Sequence, residues 1–289
     1  MGDFHWLSSQ VLFWIAFDTN QLQKCQSAPT VGDAKYFNSV IKDVKSNADF
    51  ELRIRKITGK MCLVGYGDSS LYGTKSGVDT DGYMLKEAIN TKFAEIDSDE
   101  SLRQFDKHKV RSQQGALIVT MAESELQSTE AIRFSPMDCR TKACHRVVTS
   151  TFGAETGAAV TTHGMLTYTR AMFAEAFHGH ALQSLESYGE QHFKTIQVTD
   201  CRSLYDHILT DAKVPEDRHV AIWVASLRSG LGAEKTRMMW TPSRWQLGDG
   251  LTKSAAGKDL RLHLTRGTTQ LHEPSAQEVK RRRDDAEDE

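Results

Sequence analysis

The spacing of apolar residues predicts helices in the first part of the chain. In Val11–Leu22, and again in Ala34–Val44, apolar positions recur three and four residues apart, as in amphipathic helices. Pro29-Thr30 supplies the start signal of the second helical segment. We therefore expect residues 1–56 to be mainly helical, with only Phe50–Ile54 alternating as a strand does.

Beyond residue 56 the pattern changes to short apolar runs, which predict strands. The predicted strands are Met61–Tyr66, Ala116–Met121, Glu130–Phe134, Phe193–Thr199 and Met238–Trp240. The first three follow one another without helical periodicity, so we expect an antiparallel meander. We interpret the polar stretch 73–109 as an insertion, because compact domains rarely contain so long a structureless connection.

Helical periodicity returns in the second half of the chain. It runs from Phe152 to about Gly179, with Thr151 as the expected N-cap. Further helices are predicted at Leu204–Leu209, at Val220–Leu227 and from Ser243 to Lys253. This order of strands and helices favours an α/β fold with a mixed sheet and helices on its faces.

Composition excludes few functions. The chain has 289 residues, 39% apolar and 26% charged, which is typical of globular proteins. No apolar run approaches the roughly 18 residues that span a membrane, so we expect no membrane partner. The cysteines are odd in number and scattered, which favours reduced thiols and an intracellular location, cytoplasmic or nuclear. Cys139, Cys144 and His145 lack a second ligand pair at zinc-site spacing, so we do not expect zinc there.

The net charge of −2 requires that any contact with nucleic acid come from local basic patches. One candidate precedes the long helix and comprises Arg140, Lys142, His145 and Arg146, although a solvated corner of the fold explains these residues equally well. Near the chain end, the basic run Lys280–Arg283 is followed by an acidic stretch. We expect residues 257–289 to form a charged, disordered tail.

Four acidic residues are candidates for chemistry. Asp68 and Asp200 each end an apolar strand, and ligand sites of open α/β sheets gather at such strand ends. Glu155 falls near the start of the long helix, and Asp249 lies in the last predicted one. Each acid also has a purely structural explanation, as a turn former or a helix-terminal charge. The pattern by itself indicates an acid-lined α/β nuclease, phosphatase or nucleotidyl-transfer enzyme.

Five segments, in order over residues 61–253, resemble the ribonuclease H domain of copia-type retrotransposon Pol polyproteins. They are Gly65-Tyr66-Gly67-Asp68-Ser69-Ser70, Arg111-Ser112-Gln113-Gln114-Gly115, Thr149–Glu155, Val198-Thr199-Asp200 and Thr241–Lys253. The last is the most specific, because it is similar to the Gln-Leu-Ala-Asp and Leu-Thr-Lys elements that close the family's domain. Residues 11–56 loosely resemble the segment between a reverse transcriptase and its ribonuclease H.

The resemblance implies a ribonuclease H-like domain at 57–256, preceded by a helical connection segment at 1–56. Its sheet would have five strands, three antiparallel and two further parallel, with helices on both faces. Asp68, Glu155, Asp200 and Asp249 would be the catalytic residues and would hold two Mg²⁺ ions, for which Mn²⁺ can substitute. The implied activity is hydrolysis of the RNA strand of RNA–DNA hybrids. The implied partners are that hybrid and a reverse transcriptase polymerase domain.

Two departures from the family pattern stand beside the matches. The 73–109 insertion is atypical, and Gly153 places a glycine in the first turn of the long helix, which we expect to loosen Glu155 slightly. No paired-Asp polymerase motif follows a strand, so we predict no polymerase activity. Three alternatives stay open: an inactive relic that only binds nucleic acid, an integrase- or resolvase-like DNA nuclease of the same fold, and a purely structural interaction module.

Overall fold

The computed structural model describes residues 1–71, 112–144, 146–179, 192–210 and 215–272. The expected insertion at 73–109 lies outside the described residues, as do Arg111 and His145. The strands are β1 Met61–Ser70, β2 Gln113–Ala122, β3 Ile132–Ala143, β4 Lys194–Thr199, β5 Arg237–Trp240 and β6 Thr268–Thr269. The α-helices are α1 Gly2–Gln10, α2 Ala16–Lys24, α3 Val31–Ser46, α4 Thr151–His178, α5 Arg202–Leu209, α6 Arg218–Ala233 and α7 Gly257–Arg266. Short 3₁₀ helices lie at Phe13–Ile15, Glu123–Glu125, Ser243–Trp245 and Leu247–Leu251.

The strands form one mixed sheet in the order β5-β4-β1-β2-β3-β6. Strands β1, β2 and β3 are antiparallel neighbours, while β4 and β5 run parallel to β1 on its other side. This is the expected ribonuclease H-like arrangement of three antiparallel and two parallel strands. The added strand β6 pairs with the start of β3 at Ile132 and Arg133. The fold class predicted from the sequence is therefore confirmed, with one short strand more than expected.

Apolar side chains cover both faces of the sheet, because residues alternate between faces along each strand. On one face, Leu63 and Ile118 pack against Leu166 of α4. On the other, Val64, Tyr66 and neighbouring strand residues pack in one cluster with the Leu247–Leu251 helix and α7. Helices thus lie on both faces, as the period change in the sequence predicts.

The N-terminal segment is helical and packs on the sheet. Helix α3 begins where Pro29-Thr30 predicts, and the Thr30 and Asp33 side chains form a reciprocal capping box. Leu12–Ala16 belongs to the same apolar cluster as the strands β1 and β2. Residues 51–58 form no strand, so the alternation in Phe50–Ile54 does not produce the expected element. None of the helices in the described ranges is long and apolar enough to cross a membrane.

Strand β3 is longer than expected. The predicted strand ends at Phe134, before Pro136, but β3 continues to Ala143. The proline is tolerated for two reasons. It lies where the register between β2 and β3 shifts, at Ile118 and Val119, and it lies beyond the two residues of β3 that pair with β6. The strand therefore carries Arg140 and Lys142, two members of the basic cluster that precedes the long helix.

Three further expectations need correction. The region 257–289 does not begin as a disordered tail, because Leu260 and Leu264 of α7, and Leu271 just after β6, are buried in the main core; residues 273–289 lie outside the described part. The N-cap of α4 is Ser150, whose hydroxyl accepts from the Gly153 N–H at 3.1 Å. The expected helix from Ser243 to Lys253 consists of two 3₁₀ turns.

Candidate active site

Asp68, Glu155 and Asp200 converge at one end of the sheet. Each offers a carboxylate oxygen, and these oxygens all lie within 4.8 Å of one another. Two of the acids meet because β1 and β4 are parallel neighbours in which Tyr66 pairs with Val198. Two residues further along both strands stand Asp68 and Asp200, so the same register brings their side chains to one edge.

Glu155 reaches this edge from α4 because the helix lies very close to β1. A Cβ at Gly67 would be 2.6 Å from the Thr162 hydroxyl, and one at Gly65 would be 2.8 Å from Leu166. The two glycines of the Gly65–Asp68 motif therefore permit the close approach of helix and strand. Glu155 lies in the second turn of α4 and is only 6% exposed.

The first turn of α4 also contains a required glycine. A Cβ at Gly153 would be 3.0 Å from Val220 of α6, which is tighter than ordinary van der Waals contact. Gly153, expected to loosen Glu155, thus lets α6 pack against the start of α4. The departure from the family pattern has a packing reason in this chain.

Asp249 approaches the cluster from the Leu247–Leu251 helix, which packs against the ends of β1 and β2. The Gln246 side chain donates to the Gly67 carbonyl at 2.9 Å and accepts from the Gly248 N–H at 3.3 Å. A Cβ at Gly248 would be 3.0 Å from the Cβ of Asp68. The sequence Gln246–Asp249 is therefore fitted to place the fourth acid beside the first.

The fourth acid is held differently from the other three. Lys253 Nζ lies 2.8 Å from Asp249 Oδ1 and 3.9 Å from Asp68 Oδ2. The Thr252 hydroxyl donates to Asp68 Oδ2. Thr252 and Lys253 belong to the Thr241–Lys253 motif, but the sequence alone gives neither of them a role. Their position in that motif was the signal that could have pointed to them.

Burial dominates the electrostatics of the cluster. Together with the neighbouring charges of Asp68 and Asp200, it raises the pKa of Glu155 to about 9. The charge of Lys253 and a hydrogen bond from the Ser69 N–H lower this pKa, but by less. Burial likewise raises the pKa of Asp68 to about 7, reinforced by Asp249. Burial lowers the pKa of the Lys253 ammonium, but the carboxylates around it outweigh this and raise it. The single ammonium of Lys253 therefore does not balance the charge of the four carboxylates.

The residues fit a divalent cation. Glu155 Oε2 is buried without a hydrogen-bond partner, an arrangement that costs free energy unless a cation or proton lies against it. Three carboxylates that share one small space are the oxygen ligands that Mg²⁺ prefers. Asp68, Glu155 and Asp200 could therefore hold one ion, and Asp249 with Asp68 could contribute to a second.

A buried glutamine missed by sequence reasoning connects the N-terminal segment to this site. Gln113, at the start of β2, accepts a hydrogen bond from Lys24 at 2.7 Å and donates to Asn20 at 3.0 Å. It also donates to the Thr141 hydroxyl, which in turn donates to the Leu251 carbonyl at 2.7 Å. This chain of contacts fixes α2 and β3 against the short helix that carries Asp249.

The described members of the predicted basic cluster lie in two places. Arg140 and Lys142 are two residues apart on β3 and so face the same side of the sheet. Lys142 pairs with Gln114, whose side chain accepts from Thr161 of α4, so this is the side that carries Glu155. The exposed Arg146 instead contacts His219 Nδ1 at 2.8 Å, at the start of α6.

Comparisons with known proteins give weak similarities. The N-terminal RNase H domain of rv2228c from Mycobacterium tuberculosis, solved as a fusion with maltose-binding protein, is 10% identical over 72% of this chain and 98% of its own, with a TM-score of 0.35. The RNase H domain of PFV is 10% identical over 72% and 96%, with a TM-score of 0.31. LC9-RNase H1, a type 1 RNase H with the type 2 active-site motif, is 11% identical over 78% and 82%, with a TM-score of 0.32. No family model and no curated protein matches the chain.

Proposed function

We propose that this chain is an endonuclease of the ribonuclease H type, derived from a copia-type retrotransposon, that hydrolyses the RNA strand of RNA–DNA hybrids. The observation that carries the proposal is the meeting of Asp68, Glu155 and Asp200 at one sheet edge, with a buried Glu155 oxygen that has no hydrogen-bond partner. The ordered sequence motifs, which include all three acids, support the same assignment.

The roles of the side chains follow from their positions. Asp68, Glu155 and Asp200 hold the first ion, and Asp249 joins Asp68 at the second. Two Mg²⁺ ions supply activation of the attacking water and stabilisation of charge on the leaving 3′ oxygen. Gln246 keeps Asp249 beside Asp68 through its hydrogen bond to Gly67. The four carboxylates together offset the charge of two divalent ions.

The substrate surface that we propose lies on the α4 side of the sheet. Arg140 and Lys142 stand on β3 beyond the residues that pair with β6, so this stretch of β3 is an edge. Their cationic groups would contact backbone phosphates, which give affinity without sequence preference. Selection of a hybrid would rest on 2′-hydroxyl contacts in its wide, shallow minor groove.

The test is cleavage of a labelled RNA–DNA hybrid by the purified protein in Mg²⁺ or Mn²⁺. Asp200→Asn should reduce cleavage to background and leave the circular dichroism spectrum unchanged. Asp206→Asn is the matched control, because Asp206 lies six residues away on α5 with a side chain 51% exposed, paired with Arg202. Equal cleavage by Asp200→Asn would identify a contaminating nuclease and refute the mechanism.

Two other results would redirect the assignment. Preferential cleavage of duplex DNA over the hybrid would indicate a DNA nuclease of the same fold. Binding of the hybrid without cleavage in either metal would indicate an inactive relic.

A further inference from the structure

A lysine lies among the carboxylates where a second cation would have to bind. Lys253 Nζ contacts Asp249 Oδ1 at 2.8 Å and approaches Asp68 Oδ2 at 3.9 Å. These are the two acids that the proposed function assigns to the second ion. The oxygens of Asp68, Glu155 and Asp200 lie close together in a group that does not include Asp249. The cluster thus consists of a compact group of three acids and a fourth acid, Asp249, that is paired with an ammonium.

The contact with Asp68 distinguishes this lysine from an ordinary surface ion pair. Asp249 and Lys253 are four residues apart, and such exposed pairs contribute little. The side chain of Asp68, however, is only 3% exposed, so its charge is poorly screened by water. An ammonium directed at a buried carboxylate is held more firmly than one on the surface.

The same lysine is able to leave. Its side chain is 47% exposed, and a flexible four-carbon stem carries the charge. An ammonium and a divalent ion cannot both occupy the space between the Asp68 and Asp249 oxygens, because like charges at that separation repel. The Nζ can turn to solvent without unpacking the core.

We propose that Lys253 is a resident counter-ion of the acidic cluster, which competes with the second divalent ion for Asp249 and Asp68 and is displaced when that ion enters. This inference rests on the proposed function, because it requires that the acids bind metal. The lysine would weaken the second site by a constant factor, so that this site fills only at a higher metal concentration than the first.

The test is a Mn²⁺ titration of the full chain without substrate. Electron paramagnetic resonance measures the free Mn²⁺, and the bound Mn²⁺ is the difference from the total. Lys253→Met keeps the length of the side chain and removes the charge. We expect it to tighten the weaker of the two Mn²⁺ sites about tenfold, equivalent to about 1.4 kcal/mol. Lys253→Arg keeps the charge and should not tighten this site. Lys258→Met, on the exposed surface at the start of α7, is the control and should match the wild type.

The outcomes separate this inference from the proposed function. Two Mn²⁺ sites of unchanged affinity in Lys253→Met would overturn the inference alone. A change of about twofold, the size expected for an exposed ion pair, would also overturn it. Absence of Mn²⁺ binding from both wild type and Lys253→Met would overturn the inference and the metal mechanism together. Tighter binding in Lys253→Met without hybrid cleavage by the wild type would uphold the inference and refute the nuclease.

Discussion

Replacing Glu155 by glutamine should stabilise the metal-free protein while removing its response to metal. The Glu155 carboxyl is buried beside Asp68 and Asp200, and its pKa is raised from 4.5 to about 9, first by burial and then by those charges. At about 1.4 kcal/mol per pKa unit, holding this group in the fold at pH 8 costs on the order of 5 kcal/mol. A neutral amide removes the charge but still needs hydrogen-bond partners.

We therefore expect Glu155→Gln to recover somewhat less than half of that cost, or roughly 2 kcal/mol. For a chain of this size, that corresponds to a rise in Tm of about 4–8 °C in metal-free buffer. The direction of the Glu155 pKa shift also determines how the stability of the folded protein depends on pH. A carboxyl whose pKa is raised on folding binds more protons in the folded state, so wild-type stability falls as pH rises from about 5 to about 9. The variant should show a flatter profile.

Differential scanning fluorimetry in EDTA and in millimolar Mg²⁺ measures both effects. Wild type should gain Tm with metal, because an ion that binds only the folded state stabilises it. Glu155→Gln should gain much less. Glu175→Gln makes the same change at an exposed position of α4 and should leave Tm and the metal response unchanged. A metal-free Glu155→Gln protein less stable than wild type at pH 8 would refute this account of the site.

The remaining predictions concern packing around the site and in the core away from it. Gln113→Ala should cost about 1–3 kcal/mol in urea unfolding, because it leaves partly buried partners without this hydrogen bond. It should also lower kcat more than it raises KM; unchanged kcat would show that the contact chain does not position Asp249. Gly248→Ala introduces a Cβ 3.0 Å from that of Asp68 and should weaken Mn²⁺ binding. Gly164→Ala is the control: its added Cβ has no atom within 4 Å, so it should only stabilise α4, by about 0.5–1 kcal/mol. Arg170→Met should destabilise the protein by about 3–5 kcal/mol, because it leaves the buried Glu234 carboxylate without its 2.7 Å ion pair. Adding Glu234→Gln should recover part of this loss. If it recovers nothing, the loss comes from packing around Arg170 and not from the unpaired charge.

Local periodicity was sufficient to predict most elements of the sheet and the long helix. Apolar runs such as Met61–Tyr66 and Phe193–Thr199 belong to buried strands, where the pattern of neighbouring residues decides the structure. The predicted end of β3 was wrong, because pairing with β2 continues the strand through a proline that usually ends one. Pro136 is accommodated inside β3 because β2 pairs with the strand on both sides of a register shift.

The acids show the same division. Two of them stand at strand ends in the sequence, and a parallel pair of strands then brings Asp68 and Asp200 together by register. That Glu155 reaches them depends on how closely α4 can approach Gly65 and Gly67, which is a property of three-dimensional packing. The role of these acids as metal ligands stays a prediction.

The sequence by itself determined most of the order of strands and helices and the motifs that hold the acids, because both depend on short-range patterns of residue type. Only the tertiary structure decided that Lys253 lies between Asp68 and Asp249, that Gln113 joins α2 to the Asp249 turn, and that Arg146 lies apart from the other basic residues at His219. These contacts join residues whose neighbours in the chain give no sign of their partners, because side-chain reach and burial depend on how the elements pack.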